Sequence, residues 1–197
     1  MKMDESYLDE TILSVINSYE EALEREAPLA YQIKVKGQII KLGDREIYPG
    51  VSMRLPRNFI WKAGNETEKG YMIKNHPESV LTSGCGTVNY TFDKFSSDGK
   101  EALALRDELI VMMDQEYPRN TVYKKGTQYN GDIDVHWFEF KSFVFDSDVY
   151  NNMFLFSVQE DAVIGAFHCS FRDYKEWENH VIKMLDTIMY IQKEKEK

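Results

Sequence analysis

The chain has 197 residues, of which 43% are hydrophobic, 13% aromatic and 29% charged. Its 33 acidic against 24 basic side chains give a formal charge of −9 and a pI near 5.0. That balance argues against nucleic acid and anionic membrane surfaces as partners, because neutralising phosphates needs clustered Lys and Arg.

A chain of this size buries roughly 70% of its unfolded surface, so no disulfide or metal is needed to fold it. The aromatic and β-branched content argues against wholesale disorder. The densest basic stretches are Lys34-Val-Lys36, Lys124-Lys125 and the near-neutral tail ending at Lys197, and none makes a phosphate track. The N-terminal residues Met1 to Ser6 lack the apolar run and small-residue cleavage site of a signal peptide. No apolar run of about 18 residues, the length that spans a bilayer, occurs. A cytoplasmic location is therefore expected, with Cys85 and Cys169 both reduced.

In chain order, Leu8, Ile12, Val15, Ile16, Tyr19, Ala22 and Leu23 recur at helical spacing and predict an amphipathic helix over 4–26, stopped by Pro28. It is a candidate dimerisation element. Tyr31, Ile33 and Val35 alternate with polar residues as a strand, and Gln38 to Leu42 continue or return from it. Gly43-Asp44-Arg45 reads as a turn, as does Pro49-Gly50, and Val51, Met53 and Leu55 mark another strand ended by Pro56. Residues 62–80 are polar and read as a long loop with a short ordered piece at 71–73. Thr87 to Phe95 reads as a strand.

A helix is predicted over 100–116, with Ala102, Leu105, Leu109, Met112 and Met113 on its buried stripe. Aromatic-rich strands follow at 121–125, 133–145, 153–159 and 162–171, the last two joined by a tight hairpin at Glu160-Asp161. A closing helix over 173–191 carries Tyr174, Trp177, Val181, Met184, Ile188 and Ile191 on one stripe.

The later strands are apolar on both faces: His136, Phe138 and Phe140 point one way, Val135 and Trp137 the other. The expected class is therefore α+β, an antiparallel sheet sandwiched between helices (α/β/α), with the N-terminal amphipathic helix as an addition. A single domain is expected over 1–197, with the helix in 1–28, a sheet-and-helix core over 30–191 and a charged tail at 192–197.

Two segments carry a resemblance. Val51-Ser-Met-Arg-Leu-Pro56-Arg-Asn-Phe59-Ile-Trp61 is an alternating strand closed by Pro and an aromatic. Phe167-His-Cys-Ser-Phe171 leads into Trp177 to Ile191 with its segment Met184-Leu-Asp-Thr-Ile188. Over residues 51–191 the pattern resembles the Mog1/PsbP-like superfamily. The resemblance implies an antiparallel sheet between helices and, since most members bind other proteins without catalysis, a non-catalytic binding role.

The candidate chemistry is sparse. Cys85, between Gly84 and Gly86, could be a nucleophile if folding brought His76, His136, His168 or His180 to it; otherwise it is a small residue at a bend. Asp132, Asp134 and His136 alternate and could supply part of a metal site, or they are a solvated strand entry beside a packed histidine. His168 and Cys169, being adjacent on a strand, point to opposite faces. His180 is a helix-surface or boundary residue. Met112, Met113, Met153, Met184 and Met189 could line an adaptable binding surface or simply fill the core. No nucleotide, metalloprotease or hydrolase motif occurs. No catalytic, cofactor or metal residue is assigned.

The expected function is a cytoplasmic protein-binding module, an adaptor or chaperone for a bacterial protein partner, with homodimerisation through the first helix as an added expectation. The alternative is a small-molecule binder or enzyme with its pocket near the 62–86 loop.

Overall fold

Alternation of buried and exposed residues organises most of the chain. The computed structural model describes Val15 and residues 28–62, 77–144 and 147–191. Within them lie β1 (Gln32–Val35), β2 (Gln38–Tyr48), β3 (Val51–Pro56), β4 (Ile60–Lys62), β5 (Ser79–Thr82) and β6 (Asn89–Ser96). Helix α1 (Ala102–Glu116) precedes β7 (Thr121–Tyr129), β8 (Asp134–Val144), β9 (Ser147–Val158) and β10 (Asp161–Ser170). A 3-10 turn, helix α2 (Tyr174–Leu185) and β11 (Met189–Tyr190) close the fold.

The strands form two antiparallel sheets. The smaller has the order β1-β2-β3-β11 and the larger β4-β5-β6-β10-β9-β8-β7. Ile33, Val35, Leu42, Val51, Met53 and Leu55 of the small sheet share one core with Tyr90, Phe92, Phe154, Phe156 and Phe167 of the large one. Trp177, Val181, Met184 and Leu185 of α2 join that core, so the closing helix lies beside the small sheet on the same side. The opposite face of the large sheet, with Phe138, Phe140, Leu155 and Ala162, packs against Ala102, Leu105 and Met113 of α1. Each fully buried side chain of this size contributes about 1.5–3 kcal/mol of transfer free energy.

This corrects the expected class. Among the described residues the large sheet is not sandwiched between helices: one face meets a second sheet with α2 alongside, and the other carries α1. Strands dominate, eleven against two α-helices among the described residues. The cause lies in the segment before Pro56. Its strands pair among themselves and with β11 rather than extending the large sheet. Periodicity reveals strands but not how they divide into sheets. The additional helix over 4–26 gains no support, since apart from Val15 those residues lie outside the described ones.

Several boundaries also move. Gly43-Asp44-Arg45 is no turn: β2 runs straight through it, held by Arg57, whose Nε donates to Leu42 O at 2.9 Å, while Arg45 Nη2 donates to Arg57 O at 2.6 Å. Ser79–Thr82, expected in a loop, is β5, paired with β4 and β6. The β9–β10 hairpin turns at Gln159-Glu160, one residue earlier than expected, with Gln159 at φ 56°. The closing helix stops at Leu185 instead of 191. Thr187 Oγ1 donates to Met184 O at 2.6 Å and accepts from Arg54 N at 2.8 Å, and Asn130 Nδ2 donates to Leu185 O at 2.6 Å. These bonds satisfy helix-end carbonyls and tie the chain to β3, so Ile188 reaches the core from a turn rather than from a longer helix.

Candidate functional site: a polar cleft and an apolar groove

The residues singled out in the sequence do not converge. Cys85 is exposed on the β5–β6 turn, its Sγ 3.0 Å from Thr87 Oγ1 and 3.5 Å from Ser83 Oγ. Those hydroxyls, Ser83 first, lower the thiol from 9.0 to about 7, but neither is a base. Asp132 and Asp134 are exposed, and His136 Nδ1 lies 2.9 Å from Thr127 Oγ1. Among the described residues no cluster of three or more His, Cys, Asp or Glu is placed to hold a metal. His168 Nδ1 lies 2.7 Å from Asn151 Oδ1, while Cys169 is in the main core, where burial raises its thiol to about 12. His180, half-buried on α2, has Nε2 3.4 Å from Lys34 O. His76 and the proposed dimerisation helix lie outside the described residues, as do 63–76 of the 62–86 loop.

The first concave feature lies between β7–β8 and α2. It is a cleft of about 340 Å³ with Trp137 and Ile182 among its apolar walls and Lys124, Glu139 and Glu178 among its polar ones. Glu139 is 1% exposed. It sits directly between Lys124 on β7 and Asn152 on β9, one register pair from each. Tyr150 O–H donates to its Oε1 at 2.7 Å and Asn152 Nδ2 approaches the same oxygen at 3.5 Å. Among the described residues its Oε2 has no hydrogen-bond partner, and neither do Trp137 Nε1 and Asn152 Oδ1. Burial raises the Glu139 carboxyl above its ordinary range, more than Tyr150 and Lys124 lower it.

A β-bulge shapes this cleft. The register of β7 shifts between Val122 and Lys124, so Tyr123 is the extra residue. Val122 packs on the α1 side and Lys125 reaches Asp107 of α1 at 3.1 Å. Strict alternation from Val122 would have sent Lys124 to that side too. The bulge turns it to the α2 side instead, where its Nζ lies 3.3 Å from Glu178 and 3.9 Å from Glu139. Two residues on, Gly126 stands opposite Trp137, and a Cβ there would lie 2.6 Å from the indole, so only glycine leaves room for the ring. The signal that could have revealed the cleft is a carboxylate at an inward phase of the run Trp137-Phe-Glu-Phe140.

The second feature is an apolar groove of about 210 Å³ between α1 and the large sheet, lined by Met112, Met113, Tyr117, Phe138, Phe140 and Met153 among others. Three of the five methionines singled out in the sequence meet here. Met184 is instead core, accepting from Tyr90 O–H at 3.0 Å, and Met189 is exposed on β11. Met112, expected on the buried stripe, is 47% exposed and Tyr117 is 57% exposed.

No family model matches the chain, and no curated protein matches it. Among solved structures, the cyanobacterial PsbP (CyanoP) of Synechocystis sp. PCC 6803 matches with a TM-score of 0.56 at 8% identity, over 79% of this chain and 96% of that one. A Pseudomonas aeruginosa protein of unknown function described as a putative regulator matches with a TM-score of 0.46 at 7% identity, over 77% and 99% of the two chains. A Bacteroides thetaiotaomicron protein matches with a TM-score of 0.45 at 18% identity, over 79% of this chain and 50% of that one. The chain thus has a PsbP-like fold, as the sequence resemblance implied; at such identity the likeness concerns the fold alone. No helix among the described residues is long and apolar enough to cross a membrane.

Proposed function

We propose that the protein is a non-catalytic binding module, an adaptor or chaperone of the cytoplasm, which takes an apolar polypeptide segment into the groove between α1 and the large sheet. The observation that carries this reading is that α1 is apolar on its outward side as well as its inward one. Ala102, Leu105 and Met113 are buried, yet Leu103 in the first turn and Val111 and Met112 in the last turns are exposed, as is Tyr117 at the helix end; of these Met112 and Tyr117 line the groove. A helix apolar on both sides calls for a cover. Methionines suit a surface that must adapt to its guest.

Charge narrows the guest. On helix α1, Asp107 is paired with Arg106 and Lys125 and Glu108 with Lys100, which leaves Asp114 and Glu116, near the groove end of the helix, as its uncompensated charges among the described residues; its one cation, Arg106, is buried. The matching partner is therefore a polypeptide segment with apolar anchors flanked by Lys or Arg. Replacing Met112 with Lys tests the reading. A polypeptide partner that copurifies with the tagged wild-type protein from its host is lost with Met112→Lys and retained with the remote change Lys94→Ala. Retention with Met112→Lys would overturn it.

A further inference from the structure

The polar cleft is built from β7, β8 and α2, on the opposite face of the large sheet from the groove, and its evidence is independent of that reading. We propose that it binds a small organic cation carrying a primary ammonium group, which seats between Glu139 and Glu178 in the place now held by Lys124.

Three observations converge. First, Glu139 is almost wholly buried, lines the cleft, and has one carboxylate oxygen, Oε2, with no hydrogen bond among the described residues. Leaving a buried polar atom unsatisfied costs about 1–3 kcal/mol, more for a charged one, so such an atom marks the place of an absent partner. Second, the buried end of the cleft is doubly acidic. The Glu178 side chain is 6% exposed and the Glu139 side chain 1%; both approach the Lys124 ammonium, and Lys175 holds the other Glu178 oxygen, Oε1, at 3.2 Å, while Lys183 also lines the cleft. Third, the Lys124 ammonium bonds Glu178 Oε2 at 3.3 Å and leaves Glu139 without a bond from it. It stands 3.9 Å from Glu139, beyond hydrogen-bond reach, on a side chain 51% exposed, on a strand at the edge of the sheet. It reaches the cleft only because the bulge at Tyr123 turns it inward. A free ammonium is not tethered to that backbone and can approach Oε2 closely while Lys124 swings to solvent.

The walls set the rest of the ligand. Trp137 and Ile182 offer apolar surface to a short hydrocarbon stem. The unpartnered Trp137 indole N–H favours an acceptor group beside it. A ligand of this kind would bind ammonium-first, as an amine rather than as an acid.

Butylammonium is a direct probe, with butyrate and butanol as controls at constant ionic strength. Binding is read from the Trp137 indole N–H resonance, assigned by its loss in Trp137→Phe. Butylammonium shifts the resonance saturably, and butyrate and butanol do not. Glu139→Gln, close in shape to the wild type, weakens binding about tenfold, the scale of one charge-assisted contact. Lys124→Met tightens binding, because it removes the competing ammonium; a lysine that merely supported the wall would give the opposite change. Saturation by butyrate, equal saturation by butanol, no saturable shift with butylammonium, or weaker binding in Lys124→Met would each overturn the proposal. Should Glu139→Gln fail to fold, the Lys124→Met comparison still decides it.

Discussion

Phe154 on β9 occupies the space that a side chain would need at Gly165, its direct partner on β10: a Cβ there would lie 2.2 Å from the ring Cζ. The ring is fully buried in the core that joins the two sheets. Gly165→Ala forces the ring or the strand to move in a packed interior, which costs about 1–3 kcal/mol. Chemical denaturation gives the check. Gly165→Ala combined with Phe154→Leu recovers part of the loss, and an unaffected Gly165→Ala protein would show that the ring yields freely.

Glu139 makes stability depend on pH in an unusual sense. Its carboxyl titrates above its ordinary 4.5 because it is buried. The folded state therefore binds its proton more readily than the unfolded one, and Glu139 costs stability as pH rises through and above 4.5. Glu139→Gln carries no such cost, so between acid and neutral pH its stability relative to the wild type improves as pH rises above 4.5 and levels off above the folded-state pKa. Melting temperatures of the pair across that range test it. A wild-type advantage that grows with pH would mean that pairing with Lys124 outweighs burial.

His168 works in the opposite direction. Asn151 Nδ2 donates to Ser142 Oγ at 2.8 Å and approaches two carbonyls, which leaves Asn151 Oδ1 to accept from His168 Nδ1 at 2.7 Å. The ring is neutral with its proton on Nδ1, and burial lowers its pKa from 6.5 to about 4. Between those values the unfolded state binds the extra proton, so the contribution is full above 6.5 and declines as pH falls toward 4. The slope reaches at most about 1.4 kcal/mol per pH unit, because a single proton is linked. Urea titrations show this as a wild-type decline that His168→Gln reduces. Equal slopes would exclude His168 as its source.

The two thiols differ sharply. Cys85 titrates at about 7 through its hydroxyl partners and is exposed; Cys169 is buried and titrates at about 12. Iodoacetamide at neutral pH modifies Cys85 rapidly and Cys169 only on unfolding. Ser83→Ala shifts the Cys85 reaction midpoint upward. Mass spectrometry of the alkylated peptides reads both outcomes, and comparable rates at the two sites would contradict the assignment.

Much of this architecture is legible in local sequence pattern. The alternation of Val51, Met53 and Leu55, and the opposite facing of Val135 and Trp137 against Phe138 and Phe140, survive in the folded protein because each strand has chemically distinct faces. The partition into two sheets is not legible. It depends on which edges pair: β3 takes β11 as a neighbour, and nothing local to Met189-Tyr190 announces that pairing. The cleft is only partly legible, for a related reason. Glu139 shares the inward phase of Val135 and Trp137, but its place beside Asn152 and beneath α2 follows only from the register, and the position of Lys124 depends on one extra residue in β7. The methionine surface was visible as composition, but only tertiary packing separates Met112, Met113 and Met153 from Met184 in the core.

The most direct test of the central claim, that the α1 groove receives a basic, apolar polypeptide segment, is photo-crosslinking from position 112. A benzophenone side chain installed there in the native host, with position 94 as the control, should capture a discrete polypeptide from 112 alone. Sequencing of the crosslinked peptide should then find apolar residues flanked by Lys or Arg. Capture of a second copy of this chain, of an acidic segment, or of no polypeptide at all would contradict it.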